Sequence, residues 1–151
     1  MSNTETASHV AERGNDVATR SEKPTWDKYY LGVADAASRR SSCERAKVGA
    51  AVVSHANRVV SLGYNDSPAG KPGCLTCPRR TSDVLPGSDY DSGPGRCISV
   101  HAEANALLYA DRADLPGATL YVTREMCAGC RKLATAAGIR RVVTPDGEEW
   151  L

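Results

Sequence analysis

Apolar side chains recur at three- and four-residue intervals through Trp26, Tyr30, Val33, Ala34 and Ala37, the period of a helix with one face on a core. Pro24 suits a first helical turn, so a helix is predicted from Pro24-Thr25-Trp26 to about Ser41. The period then changes. Val48 to Val53 and Arg58 to Tyr64 are runs rich in β-branched residues around Ser54-His55-Ala56-Asn57, which predicts a β-hairpin with His55 in an exposed turn. Between residues 66 and 97 periodicity disappears, and five of the eight prolines fall between Pro68 and Gly95. An irregular insert of this length is uncommon in a compact domain unless it is functional, disordered or pinned.

Helical spacing returns from His101 to about Asp111, with Ala102, Ala106 and Leu107 at packing intervals and Ser99 as the expected N-cap. Pro116-Gly117 interrupts the chain. Residues 118–123 read as a strand, and a second helix runs from about Cys127 to Ala137, where Gly138 ends it. Residues 139–143 read as the last strand. The order helix, hairpin, helix, strand, helix, strand predicts a three-layer α/β/α sandwich on a mixed sheet, with the two helix-flanked strands parallel. Residues 1–23 are polar and without sustained period, which predicts a disordered tail; residues 24–151 form one expected domain.

Composition narrows the function classes. The 151 residues carry a net charge of +1 with scattered Lys and Arg, so the basic face required by a phosphate backbone is missing and a small substrate is expected rather than a long nucleic acid. No apolar run is long enough to span a bilayer, and the N-terminus lacks the layout of a secretory signal. A cytoplasmic protein with no membrane partner is expected. In that reducing setting the six cysteines, including the pairs Cys74/Cys77 and Cys127/Cys130, point to metal or catalysis rather than disulfides.

The chemistry concentrates in two stretches. His101, Cys127 and Cys130 offer one imidazole and two thiolates, a donor set that leaves a fourth tetrahedral position free for water on a catalytic zinc. On the expected layout each stretch opens a helix at the end of a crossover, where α/β sheets place their ligand crevice. The positive helix end favours the thiolate form. Glu103 is the nearby carboxylate, expected to carry protons without holding zinc. Alone, His-x-Glu is also a common surface pair, and Cys-x-x-Cys also makes closed zinc knuckles and redox pairs. A non-catalytic zinc-stabilised module that binds nucleotides stays open as the alternative class.

From Trp26 to Val143 the sequence resembles the deoxycytidylate (dCMP) deaminases of the cytidine deaminase-like superfamily. The resemblance is carried by Ser42-Cys43-Glu44-Arg45 leading into Val48-Gly49-Ala50, by Gly63-Tyr64-Asn65-Asp66-Ser67-Pro68, by His101-Ala102-Glu103-Ala104-Asn105-Ala106, and by Ala136 and Gly138-Ile139 before Val142-Val143. His-x-Glu with a later Cys-x-x-Cys is the signature of zinc nucleobase deaminases. The resemblance implies hydrolytic deamination of dCMP to dUMP, with a modified cytosine nucleotide or nucleoside as the alternative substrate. It implies Glu103 as acid/base, His101, Cys127 and Cys130 as zinc ligands, and Asn65, Ala102, Lys47 and Arg45 as substrate-binding residues, the last two toward phosphate unless they are solvated loop charges.

It also implies a homo-oligomer, often hexameric. Some members carry a second, structural zinc, for which Cys43 and Cys74 match ligand positions, and Cys77 and Cys97 complete a four-thiolate set that would pin the insert. Met126 stands where the family usually has proline. Asp66 stands where it usually has glycine, adding a negative charge at the effector position, so weak or absent dCTP activation is expected. With no Phe in the chain, an aromatic wall against a base must come from Tyr, Trp or His, with Tyr64 and Tyr121 as candidates.

Overall fold

The computed structural model describes residues 23–151; the expected tail over residues 1–22 lies outside them. Helix α1 (Trp26–Ser38) starts where Thr25 accepts a hydrogen bond from Lys28 N at 3.3 Å. It ends three residues before the expected stop, where the backbone tightens into three-residue bonds from Arg40 N to Ala37 O at 3.1 Å and from Ser41 N to Ser38 O at 3.0 Å, and the Ser41 hydroxyl donates to Asn65 O at 2.6 Å. Its buried face is Tyr30, Ala34 and Ser38. Trp26, expected on that face, is 57% exposed and stacks on Tyr30 instead, with ring centroids 5.6 Å apart.

Strands β1 (Gly49–Val53) and β2 (Val59–Tyr64) form the predicted hairpin. Asn57 supplies the positive φ of its turn, and His55 is exposed. After a short helix α2 (Pro78–Thr81) come α3 (Ala102–Tyr109), β3 (Thr119–Val122), α4 (Ala128–Ala137), β4 (Arg141–Thr144) and β5 (Gly147–Trp150). The five-stranded sheet runs β2-β1-β3-β4-β5. Only β3 and β4 are parallel, as expected of two strands joined through a helix. Every residue of β1 is buried because both faces of the sheet are covered. Tyr30 and Ala34 of α1 pack with Ala51, Val53, Tyr121 and Val143 on one side. On the other, Ala102, Ala106, Cys130 and Ala134 pack with Ala50, Val52, Leu120, Val122 and Val142. These are the three layers of the predicted sandwich.

Two further differences from expectation have identifiable reasons. The N-cap of α3 is His101, not Ser99: Val100 is held extended by two backbone bonds to Asp66, 2.8 and 3.2 Å long, so the helix cannot begin earlier. The strand at 141–144 is not the last. Asp146-Gly147 turns the chain back into β5, antiparallel to β4, where Glu148 pairs with Arg141 and Glu149 with Arg131, and the guanidinium of Arg140 sits 5.5 Å from the Trp150 ring. Asp-Gly is a strong hairpin signal; two glutamates in a row hid the strand that follows it.

Candidate metal centre

The crossovers β2 to α3 and β3 to α4 deliver two helix N-termini to one end of the sheet. His101 caps α3 and Cys127 caps α4, where its sulfur accepts from Cys130 N at 3.4 Å. His101 Nδ1 lies 3.5 Å from Cys127 Sγ and 3.4 Å from Cys130 Sγ. Tetrahedral zinc with bonds of about 2.0–2.1 Å to nitrogen and about 2.3 Å to sulfur requires N–S separations of roughly 3.5 Å. The donor set therefore fits that ion. It is the one group of three or more His, Cys, Asp or Glu ligand atoms gathered within 4.8 Å among the described residues.

The electrostatics point the same way. Burial pushes the Glu103 carboxyl above the usual carboxylate range, against hydrogen bonds from its own backbone N–H and from Cys130 and the charge of His101. Burial, with Glu103 and Cys127 nearby, pushes the Cys130 thiol up as well. A buried carboxyl beside two sulfurs is more than the single imidazole of His101 can balance once they ionise, and a divalent cation supplies the rest.

Beside these groups opens a cavity of about 680 Å³. His101, Cys127 and Cys130 line it together with Ser99, Tyr90 and Lys132. Tyr90, in the irregular insert, is its aromatic wall, meeting the His101 ring at 88° with centroids 4.9 Å apart. Neither aromatic candidate from the sequence lines it. Tyr121 is 3% exposed and donates to Asp27 on the far face of the sheet, while Tyr64 accepts through its carbonyl from Asn105 Nδ2 at 2.7 Å.

The other expected site residues are placed differently. Both ends of the Asn65 amide are used on backbone, accepting from Val48 N and donating to Ala46 O at 2.8 Å each. Ala102 is fully buried. Lys47 is exposed and Arg45 half-buried, and none of these four lines the cavity. The Asp66 carboxylate accepts from the Ser42 hydroxyl and from Ser67 N. Cys43, Cys74, Cys77 and Cys97 are free thiols that do not gather as the first site does. Cys43 and Cys74 are still close enough to add to the burial that raises the Cys97 thiol, and Cys74 Sγ is 2.9 Å from Ser99 Oγ.

What pins the insert in this structure is Arg79, which sequence reading missed. It is 2% exposed. Its guanidinium donates to the carbonyls of Asp89, Ser88, Leu85 and Gly95 at 2.6 to 3.4 Å and to Ser88 Oγ at 2.7 Å. A cation held by carbonyls leaves no complementary acidic residue for a sequence to reveal.

An α/β/α sandwich that presents an open His/Cys/Cys donor set above a buried carboxylate defines the class of the zinc-dependent deaminases. The pattern described as "Cytidine and deoxycytidylate deaminase zinc-binding region" matches residues 24–145, and the chain belongs to that family. It is 63% identical over 124 residues to the deoxycytidylate deaminase of Mycobacterium phage D29, covering 82% of this chain and 96% of that one. It is 34% identical over 118 residues to the Homo sapiens deoxycytidylate deaminase, covering 78% of this chain and 63% of the human one. The dCMP deaminase of cyanophage S-TIM5, solved in complex with dCMP and dUMP, superposes with a TM-score of 0.61 at 28% identity over 82% of each chain.

Proposed function

We propose that the protein hydrolyses dCMP to dUMP and ammonia at a zinc held by His101, Cys127 and Cys130, with Glu103 as the catalytic acid/base. The observation that carries this is the pair of 3.4 and 3.5 Å separations from His101 Nδ1 to the two sulfurs beside a buried carboxyl. Substrate identity is supported by the phage relatives, which are named for dCMP.

Zinc, when bound, supplies a Lewis acid that brings the pKa of a water to about 7. Glu103 takes one proton of the attacking water and passes it to the ring nitrogen beside the amino-bearing carbon. The second proton leaves with the amino group as ammonia, and the water oxygen becomes the carbonyl of dUMP. Burial pushes the Glu103 carboxyl above its usual range, which makes it a stronger base toward the proton it takes from water. Lys132 is the cation in the cavity lining and offers an ammonium to the phosphate. Asn65 shapes the entry to β1 through Ala46 and Val48.

Three finer elements belong to the same reading. A second, structural zinc is drawn to the thiols of Cys43, Cys74, Cys77 and Cys97, supported by the closeness of Cys43 and Cys74 to Cys97. A homo-oligomer is supported by Leu108 and Tyr109, both more than 70% exposed. A cytoplasmic setting is supported by six unpaired cysteines; no helix among the described residues is long and apolar enough to cross a membrane.

The test is zinc content together with ammonia release from dCMP, 5-modified dCMP and deoxycytidine, comparing wild type with Glu103→Gln. The expected result is turnover of dCMP that falls about 10²- to 10⁴-fold in a variant that keeps its zinc. Zinc-loaded wild type that releases no ammonia from any of the three, or a Glu103→Gln protein as active as wild type, refutes it. Two zincs per chain support the structural site, and one refutes it.

A further inference from the structure

We propose that Tyr90, itself held by Arg79, is a positioning residue that fixes the ring of His101 for metal binding; this rests on the reading of His101 as a ligand. His101 turns Nδ1 toward Cys127 and Cys130, which leaves Nε2 on the opposite edge of the ring. A metal-bound imidazole almost always donates from its second nitrogen to a carboxylate, carbonyl or water that fixes the ring. Among the described residues no side chain or backbone group accepts from Nε2, as the two hydrogen bonds of the ring both run through Nδ1.

The ring of Tyr90 stands in the orienting place instead. It meets His101 at 88° with a centroid separation of 4.9 Å, within the range of attractive edge-to-face pairs. A ring packed edge-to-face at this distance favours one orientation of the imidazole about its Cβ–Cγ bond. A tyrosine on an irregular segment is a poor brace unless something holds it. Two contacts do. The Arg79 guanidinium lies 4.1 Å from the Tyr90 ring centroid, a cation–π distance, and the Tyr90 carbonyl accepts from Cys97 N at 2.8 Å. Arg79 is immobile in turn because its fork is spread over Leu85, Ser88, Asp89 and Gly95. A continuous packed path therefore runs from a buried cation at the base of the insert to the imidazole of the metal site.

The experiment uses the full chain with Tyr90→Phe, Tyr90→Leu and Arg79→Lys. Zinc affinity is measured by competition with a chromophoric chelator, and ligand geometry by the visible absorption of the cobalt-substituted protein. Phe keeps the ring, so zinc affinity and cobalt bands should stay within about two-fold of wild type. Leu removes it, so zinc affinity should fall about 10- to 100-fold and the cobalt bands should shift. Arg79→Lys, which keeps the charge and loses the fork, should move in the direction of Leu. Tyr90 is half-buried, so urea unfolding of the metal-free Phe and Leu variants should coincide, and that pair decides the matter if Arg79→Lys does not fold. Wild type that takes up zinc while Tyr90→Leu binds it equally well, with unchanged cobalt bands, overturns this inference alone. Wild type that takes up no zinc overturns the metal-site reading with it.

Discussion

Replacing Gly63 by alanine tests whether the approach of β2 to α3 sets the geometry of the metal site. Gly63 pairs with Ala50 across the hairpin. A Cβ at position 63 would stand 2.1 Å from Ala102 O, 2.5 Å from Ala106 N and 3.0 Å from Ala106 Cα. All three are backbone atoms of α3, so no side chain can rotate out of the way. Ordinary contact begins near 3.4 Å, and the helix must retreat by about 1.3 Å along that line to reach it. The helix is also tied to the strand one residue on, through Asn105 Nδ2 and Tyr64 O at 2.7 Å, so the retreat strains that bond too. Overpacking of this kind costs about 1–3 kcal/mol.

The same movement shifts His101 and Glu103 relative to Cys127 and Cys130, which belong to α4 and its cap. Misplacement by about 1 Å costs roughly 100-fold in rate. Urea unfolding of the metal-free protein and zinc competition with a chelator read the two effects separately. We expect a loss of about 1–3 kcal/mol and zinc binding at least about ten-fold weaker, in the lower range for disturbed ligand support. A Gly63→Ala protein that unfolds at the wild-type urea midpoint and binds zinc normally would show that α3 does not depend on this contact.

Gly32→Ala is the opposite case: position 32 lies inside α1 and an added Cβ meets nothing within 4 Å. Helix propensity alone should then raise stability by about 0.5–1 kcal/mol, equivalent to a few degrees in a thermal melt, and an unchanged or lower Tm counts against it. Asp27 ties α1 to the sheet, accepting from Arg141 at 3.0 and 2.6 Å and from the Tyr121 hydroxyl at 2.8 Å. The bond from Arg141 and then that from Tyr121 outweigh partial burial and hold its carboxyl below the usual value. A carboxylate depressed in the folded state contributes stability above its ordinary pKa of about 3.9, and that contribution is lost as pH falls through the folded value. Asp27→Asn should therefore be weaker than wild type near pH 7, by up to about 1 kcal/mol for a partly exposed pair, and the difference should shrink as pH falls below the ordinary carboxylate value of about 3.9. Urea midpoints that stay parallel from pH 7 to pH 3 would refute this.

His101, Glu103, Cys127 and Cys130 were legible in the sequence because each pair is a short spacing on a helix start, and helix starts are marked locally by period and by breakers. The hairpin, the parallel strands and the sandwich were legible for the same reason, since a change from helical to strand period needs no knowledge of distant residues. β5 carried a local mark in Asp146-Gly147 and was still missed, as its glutamates reveal their purpose only opposite Arg141 and Arg131.

The roles of Asn65, Tyr90 and Arg79 had no local mark. The Asn65 amide is engaged 17 and 19 residues away; Tyr90 gains its meaning from a histidine on the next helix, and Arg79 from carbonyls that every residue possesses. Local spacing along the chain brought forward His101, Cys127 and Cys130 as candidate donors and determined the order of the elements. Only the tertiary structure decided which face of the insert closes on that chemistry, because such packing depends on contacts between residues far apart in sequence, where no periodicity records the pairing.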